Sequence, residues 1–384
     1  PYAYHNIKEL NRYERSEDAE LYSAQYERKY LKYENLPRPV VTRTVLGVQL
    51  FPEERKLEAT GRYELRNDTN VPINEIHIRQ GDRDPEYLKL DVGGARLTSD
   101  DKKFGYRIYR FDRPLAPGAT TTLNFVSRIW HRGFRAGGQA TNVIENGTFA
   151  NNFDFAPIIG MNRQGLLTDR TQRRRQGLPA ELRPAKLEDL NATRQNYVDS
   201  DWGLSDITVT TVAGQTPIAP GNLVSDVTKG DRRTARFVSP APILNFFSIQ
   251  SADYRVASRD HNDVKLSVFY HPGHDWNVPK MLKAMGASLD YYRSNFGPYQ
   301  FNYARIIEFP GYASFAQAFA GTMPYSESIG FVANTNDPEE IDFTTYIIAH
   351  EIAHQYWAHQ VIGADMQGGT LTSETLAQYS ALMV

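Results

Sequence analysis

The chain contains no cysteine. It therefore forms no disulfide, offers no thiolate to a metal, and carries no sign of a redox compartment. No stretch approaches the roughly 18 consecutive apolar residues of a membrane-spanning helix. The opening Pro1-Tyr2-Ala3-Tyr4 lacks the features of a signal peptide. Charge of one sign is also missing: 43 Lys and Arg stand against 45 Asp and Glu, net −2, which excludes a global pull toward nucleic acid or an anionic membrane. No internal repeat of fixed period points to a solenoid. What remains is 384 residues, 41% hydrophobic and 23% charged, the composition of a soluble protein of two or three globular domains.

Chemistry concentrates near the end. Ala349-His350-Glu351-Ile352-Ala353-His354 places two histidines four apart, so that on a helix both imidazoles project from one face and reach a single ion. Glu351, between them, can face the ion's open position as the base for a zinc-bound water without being a ligand. Asp337-Pro338-Glu339-Glu340 reads as cap, first-turn proline and capping-box glutamate, which predicts a helix from there with the motif in its middle. Glu374 follows His354 by 20 positions and opens a second helical run, 372–379, preceded by its own Thr/Ser cap signal. A glycine-bearing loop, 363–369, can return that helix alongside the first. His350, His354 and Glu374 form the His₂Glu set of a catalytic site for one Zn²⁺.

These residues, continued by His354-Gln355-Tyr356-Trp357, resemble the gluzincin zinc metallopeptidases of the aminopeptidase N type, with the third ligand one residue later than usual. The run Ser373-Glu374-Thr375-Leu376-Ala377-Gln378-Tyr379-Ser380-Ala381 is similar to a subgroup, the peptidase domains fused to bacterial ABC-transporter permeases. The resemblance implies a multidomain chain, with an antiparallel all-β, saddle-like domain followed by an α+β thermolysin-like catalytic domain. It also implies zinc-dependent hydrolysis of peptide bonds, of aminopeptidase type, with Glu351 as general base. In that family an edge strand, Gly-x-Met-Glu-Asn, pairs with the peptide backbone and its glutamate holds the substrate's α-amine. The matching stretch is Gly321-Thr322-Met323-Pro324-Tyr325, with proline in the glutamate's place and Glu327 three residues on as a substitute anchor. None of Tyr312, Tyr325, Tyr356 and Tyr379 matches the family's transition-state tyrosine. The alternative is a weakly catalytic or non-catalytic zinc-containing domain that binds or senses peptides for a membrane transporter assembly. Either way the partner is a peptide and not a nucleic acid, and the expected place is an extracytoplasmic soluble domain of a bacterial membrane protein, tethered by segments outside this chain.

In chain order, Tyr22, Tyr26, Tyr30 and Tyr33 predict an amphipathic helix, packed or serving as a stalk, within a segment of 1–38. From Val40 the period becomes two. Strands are predicted at 57–65, 75–79, 106–111, 120–129, 206–212, 232–238 and 244–250, giving an antiparallel β domain over 39–255. Residues 160–200 hold few strand signals, and the cluster 170–175 reads as a solvated basic loop. His271-Pro272-Gly273-His274 reads as a loop, because Pro-Gly breaks the helix that a paired metal geometry would need. The catalytic domain, 256–384, is predicted to hold a strand at 265–270, a helix at 278–296, a strand at 303–309 and then the zinc helices. It is read as incomplete, because the chain stops inside an apolar helical run.

Overall fold

The computed structural model describes residues 2–136, 138, 140–189, 195–335 and 337–384. The chain divides into two compact units. One comprises Pro1–Thr42, Glu54–Ala140 and Phe153–Thr193, and the other Arg43–Glu53, Thr141–Asn152 and Arg194–Val384. Among the described residues no helix is long and apolar enough to cross a membrane.

The first unit is built on alternation. In the strand Lys56–Arg66, Leu57, Ala59, Tyr63 and Leu65 are buried as their spacing predicts, and the strand pairs antiparallel with Thr120–Trp130 along its whole length. Gly61 is required there: a Cβ would lie 2.2 Å from the ring of Phe125, its partner across the ladder. The strand ends in the expected turn, where Asn67 accepts the Thr69 N–H and donates to the carbonyls of Val71 and Leu115. A second sheet runs in the order Ala95–Asp101, Tyr106–Leu115, Ile73–Arg79, Ile158–Ile159. The tyrosine helix, Ser16–Tyr30, packs within this unit. Tyr26 and Tyr30 join Phe104, Tyr106, Met161 and Leu166 in one core, with the Tyr30 ring stacked 3.9 Å from that of Tyr106.

The basic cluster is not a solvated loop. Arg170–Arg175 is a short helix capped by Asp169, and Arg173 is 0% exposed, bidentate to Glu27 at 2.7 and 2.8 Å. Arg175 pairs with Glu20 at 2.6 Å. Glu27 and Glu20 on the tyrosine helix are thus the partners of these arginines. The reading of 170–175 as a solvated loop misses this because the paired residues lie 146 and 155 positions apart. Of the 160–200 segment, residues 190–194 lie outside the described residues.

The second unit departs from a purely antiparallel plan. Residues 43–49 pair in parallel with 204–210, from Arg43 opposite Leu204 to Gln49 opposite Thr210, whereas Trp202–Val212 pairs antiparallel with Arg232–Val238. Strands so far apart in sequence have no hairpin to set their direction. The predicted strand 244–250 is two pieces, Ile243–Leu244 and Ser248–Ala252, belonging to different sheets.

The sheet that carries the site runs Arg255–His261, Val264–Tyr270, Tyr303–Phe309, Thr322–Ser326. Only the first pair is antiparallel. The helix Val278–Phe296, as predicted by its apolar stripe and the following Gly297-Pro298, is the crossover between two parallel strands, which makes this a βαβ unit rather than strands followed by helices. Met281, Met285, Leu289 and Tyr292 on that helix share a core with Leu266, Val268, Ile306, Ile348 and Ile352.

Candidate metal centre

The HExxH helix starts later than its first cap signal suggests. It spans Phe343–Ala353, and Asp342 rather than Asp337 is the N-cap, accepting the Thr345 N–H at 3.2 Å and its hydroxyl at 2.8 Å. Asp337 closes a separate turn with Glu339 and Glu340. Both aspartates have cap chemistry, but Lys280, 3.3 Å from Asp342, holds that one in place. The motif is therefore at the end of the helix and not in its middle. His354 is the C-cap, still in helical conformation (φ −63°, ψ −20°), and its N–H donates to the His350 carbonyl at 3.1 Å. This leaves the one-turn spacing intact, and it sets the imidazoles at the end of the helix whose carbonyls carry partial negative charge, favourable to a cation.

The second helix is Glu374–Ala381, preceded by a turn of 3₁₀ helix, Gly369–Thr372. Ser373 occupies the cap position without capping. Its hydroxyl instead bonds Thr370 O and the hydroxyl of Tyr197, the latter at 2.6 Å. No sequence motif marks Tyr197. Around it the backbone of 195–197 clasps the loop before Glu374: Tyr197 N–H donates to Gly363 O and Asp365 N–H to Gln195 O. The loop is tight enough that a Cβ on Gly363 would lie 2.1 Å from the Gly369 carbonyl oxygen. Trp357 Nε1 donates to Ser380 Oγ at 3.0 Å, tying the two helices together.

These elements bring His350, His354 and Glu374 together, with donor atoms within 4.8 Å of one another. Nε2 of each histidine is 3.6 Å from Glu374 Oε2, and the two Nε2 atoms are 3.0 Å apart. His354 Nδ1 donates to the Trp357 carbonyl at 3.1 Å, which fixes the tautomer and leaves Nε2 bare for a ligand bond. The imidazoles of His350 and then His354 beside it hold the Glu374 carboxyl far below its ordinary range, against a smaller effect of burial. Burial alone would lower the affinity of His354 for a proton, but the carboxylates of Glu374 and Glu351 outweigh it and raise it.

Glu351 points inward. Burial raises its proton affinity, His354 and His350 beside it only partly offsetting this, and its Oε2 is buried without a hydrogen-bond partner. A buried orphaned carboxylate oxygen beside three converging donors fits a site that holds a metal and a water. Tyr325 is buried nearby, its hydroxyl pushed up by burial and then by the charge of Glu351.

The candidate substrate strand, Thr322–Ser326, lies at the sheet edge in strand order and is fastened to the helix: Gln355 accepts the Gly321 N–H at 2.7 Å and donates to Phe319 O at 2.9 Å. Its outer side is already paired by residues 315–319. Thr322 exchanges two bonds with Phe319, Pro324 O accepts the Gln317 N–H, and Ser326 N–H donates to Phe315 O. Gly321, Thr322 and Met323 are buried. Pro324 fits this edge because it has no N–H to leave unpaired. Glu327, after the strand, is partly exposed and accepts the Gly311 N–H at 2.8 Å.

By sequence, the chain matches no protein-family model and no curated protein. By fold it is similar to solved zinc peptidases. An M1 zinc metallopeptidase from Deinococcus radiodurans aligns with a TM-score of 0.58 at 15% identity over 91% of this chain and 71% of the other. A glutamate-to-alanine mutant of a two-domain M1 zinc metallopeptidase bound to L-arginine gives 0.60 at 15% identity over 92% and 73%. A Deinococcus radiodurans mutant bound to a Tyr-Ser-Ala substrate gives 0.57 at 15% identity over 90% and 70%. The fold of this chain is that of M1 zinc metallopeptidases.

Proposed function

We propose that this chain is a zinc peptidase of the M1, aminopeptidase N-like type, with His350, His354 and Glu374 as ligands and Glu351 as general base. The observation that carries the reading is the convergence of three donors, set by two helices and a clasped loop, beside a buried carboxylate oxygen with no partner. Likeness to the M1 fold supports it. Zinc, when bound by this set, supplies the Lewis acidity that makes water a nucleophile near neutral pH.

The chain's own residues do the rest. Glu351 takes a proton from the attacking water and returns it to the departing amine, and its raised proton affinity suits both transfers. His354, locked by the Trp357 carbonyl, keeps the donor set in register. Glu327 is the carboxylate available to hold a substrate's α-amine, in place of the proline-substituted position. Fusion to a transporter and an extracytoplasmic location belong to this proposal as well, supported by the Ser373 to Ala381 run alone.

A matched pair of peptides, one with a free and one with an acetylated N-terminus, tests it. Cleavage of the free peptide alone, weakened by Glu327→Gln, is the result expected of an aminopeptidase. Cleavage of both makes the protein an endopeptidase. If neither is cut while zinc is bound, the peptide-binding reading replaces this one.

A further inference from the structure

A second group of histidine and carboxylate donors meets in the same unit. The donor atoms of His271, His274 and Glu308 lie within 4.8 Å of one another. Glu308 is near the end of the strand Tyr303–Phe309 and its side chain is 0% exposed. A carboxylate so buried needs a strong positive partner. Among the described residues no lysine or arginine pairs with it. Only the two imidazoles face it: His274 Nδ1 at 2.5 Å and His271 Nδ1 at 3.5 Å, both from Oε1. The other oxygen, Oε2, accepts the His271 backbone N–H at 2.6 Å, which aims the carboxylate.

The ring of His271 makes no hydrogen bond, and its Nε2 is buried without a partner. It is nonetheless held in place, stacked on Tyr254 with centroids 5.7 Å apart and planes 8° apart, while the Tyr254 hydroxyl donates to the Glu308 carbonyl. The Pro272-Gly273 turn, closed by His274 N–H to His271 O at 3.0 Å with Gly273 at φ +88°, brings both rings to one side. A turn thus does here what the sequence pattern lacks a helix to do. On the far side of His274, Nε2 is 3.9 Å from Glu327.

We propose that His271, His274 and Glu308 form a second site for a divalent ion of the zinc type, separate from the His350 set. Two imidazole nitrogens and one carboxylate oxygen are a zinc donor set, and the ion supplies the charge that the buried carboxylate lacks. The proposal stands whether or not the His350 set is catalytic.

Equilibrium dialysis of the full chain against zinc chloride, with bound zinc counted by atomic emission, tests it. The expected result is two zinc ions per wild-type chain, one for His350→Ala/His354→Ala, and one for His271→Ala/His274→Ala. A His350→Ala/His354→Ala protein that binds none, or a folded His271→Ala/His274→Ala protein that binds as many as wild type, overturns it. Should the latter variant fail to fold, Co²⁺ added to His350→Ala/His354→Ala decides the matter. Intense visible bands from a low-coordinate N,N,O site support the second site, and their absence overturns it.

Discussion

At the scale of single residues, the HExxH helix depends on Asp342, whose carboxylate satisfies the Thr345 N–H at the helix start. Asp342→Ala is expected to cost about 1 kcal/mol in urea denaturation, the usual worth of a cap, while Asp337→Ala costs less than about 0.5. Equal losses would put the helix start back at Asp337. His359 gives a pH prediction. Burial holds its pKa down at about 4 from an ordinary 6.5, against a hydrogen bond to the Ala318 carbonyl. Below 6.5 the unfolded chain takes up a proton that the folded chain refuses. Stability therefore falls as pH drops from 6.5 toward 4, by at most about 1.4 kcal/mol per pH unit, and this loss stops below 4. Denaturation of wild type and His359→Gln across this range should show the steeper decline in wild type. Parallel curves would mean that His359 is not the group responsible.

At the scale of elements, the site depends on how the loop 363–369 returns Glu374 to the histidines. Gly363→Ala forces a Cβ against the Gly369 carbonyl. Zinc affinity is expected to fall roughly 10- to 100-fold, as for a lost supporting contact, with the helices retained by circular dichroism. Unchanged affinity would show that Glu374 does not depend on this close approach. The same elements show what was legible in the sequence. The strand 303–309 and the helix 278–296 were readable to the residue because period, caps and breakers agreed. The shared face of His350 and His354 was readable because helical spacing is a local property. The clasp by Tyr197, the pairing of 315–319 onto the substrate strand and the approach of Glu308 to His271 and His274 were not. Each is a contact between segments whose separation carries no periodic signal. The helix start is misread at Asp337 because both aspartates have cap chemistry, and the contact of Asp342 with Lys280, 62 positions away, carries no local signal.

At the scale of the whole molecule, each of the two units has its own core and its own kind of polar interior. In the first, the Arg173 and Glu27 pair is buried and bidentate. Glu27→Gln should destabilise that unit by about 3–5 kcal/mol, because it leaves a guanidinium charge uncompensated. A loss under about 1 kcal/mol, measured by urea unfolding, would mean that water reaches the pair. In the second unit, buried carboxylates face histidines instead, as at Glu351 and Glu308, which is where metal chemistry is proposed. The central claim is that Glu351 is the base of a zinc peptidase, and it is tested most directly by comparing Glu351→Gln with wild type for peptide hydrolysis and bound zinc together. Zinc should stay bound by the His350 set while the cleavage rate falls by about 10²- to 10⁴-fold. Cleavage at the wild-type rate by a variant that keeps its zinc would contradict the account.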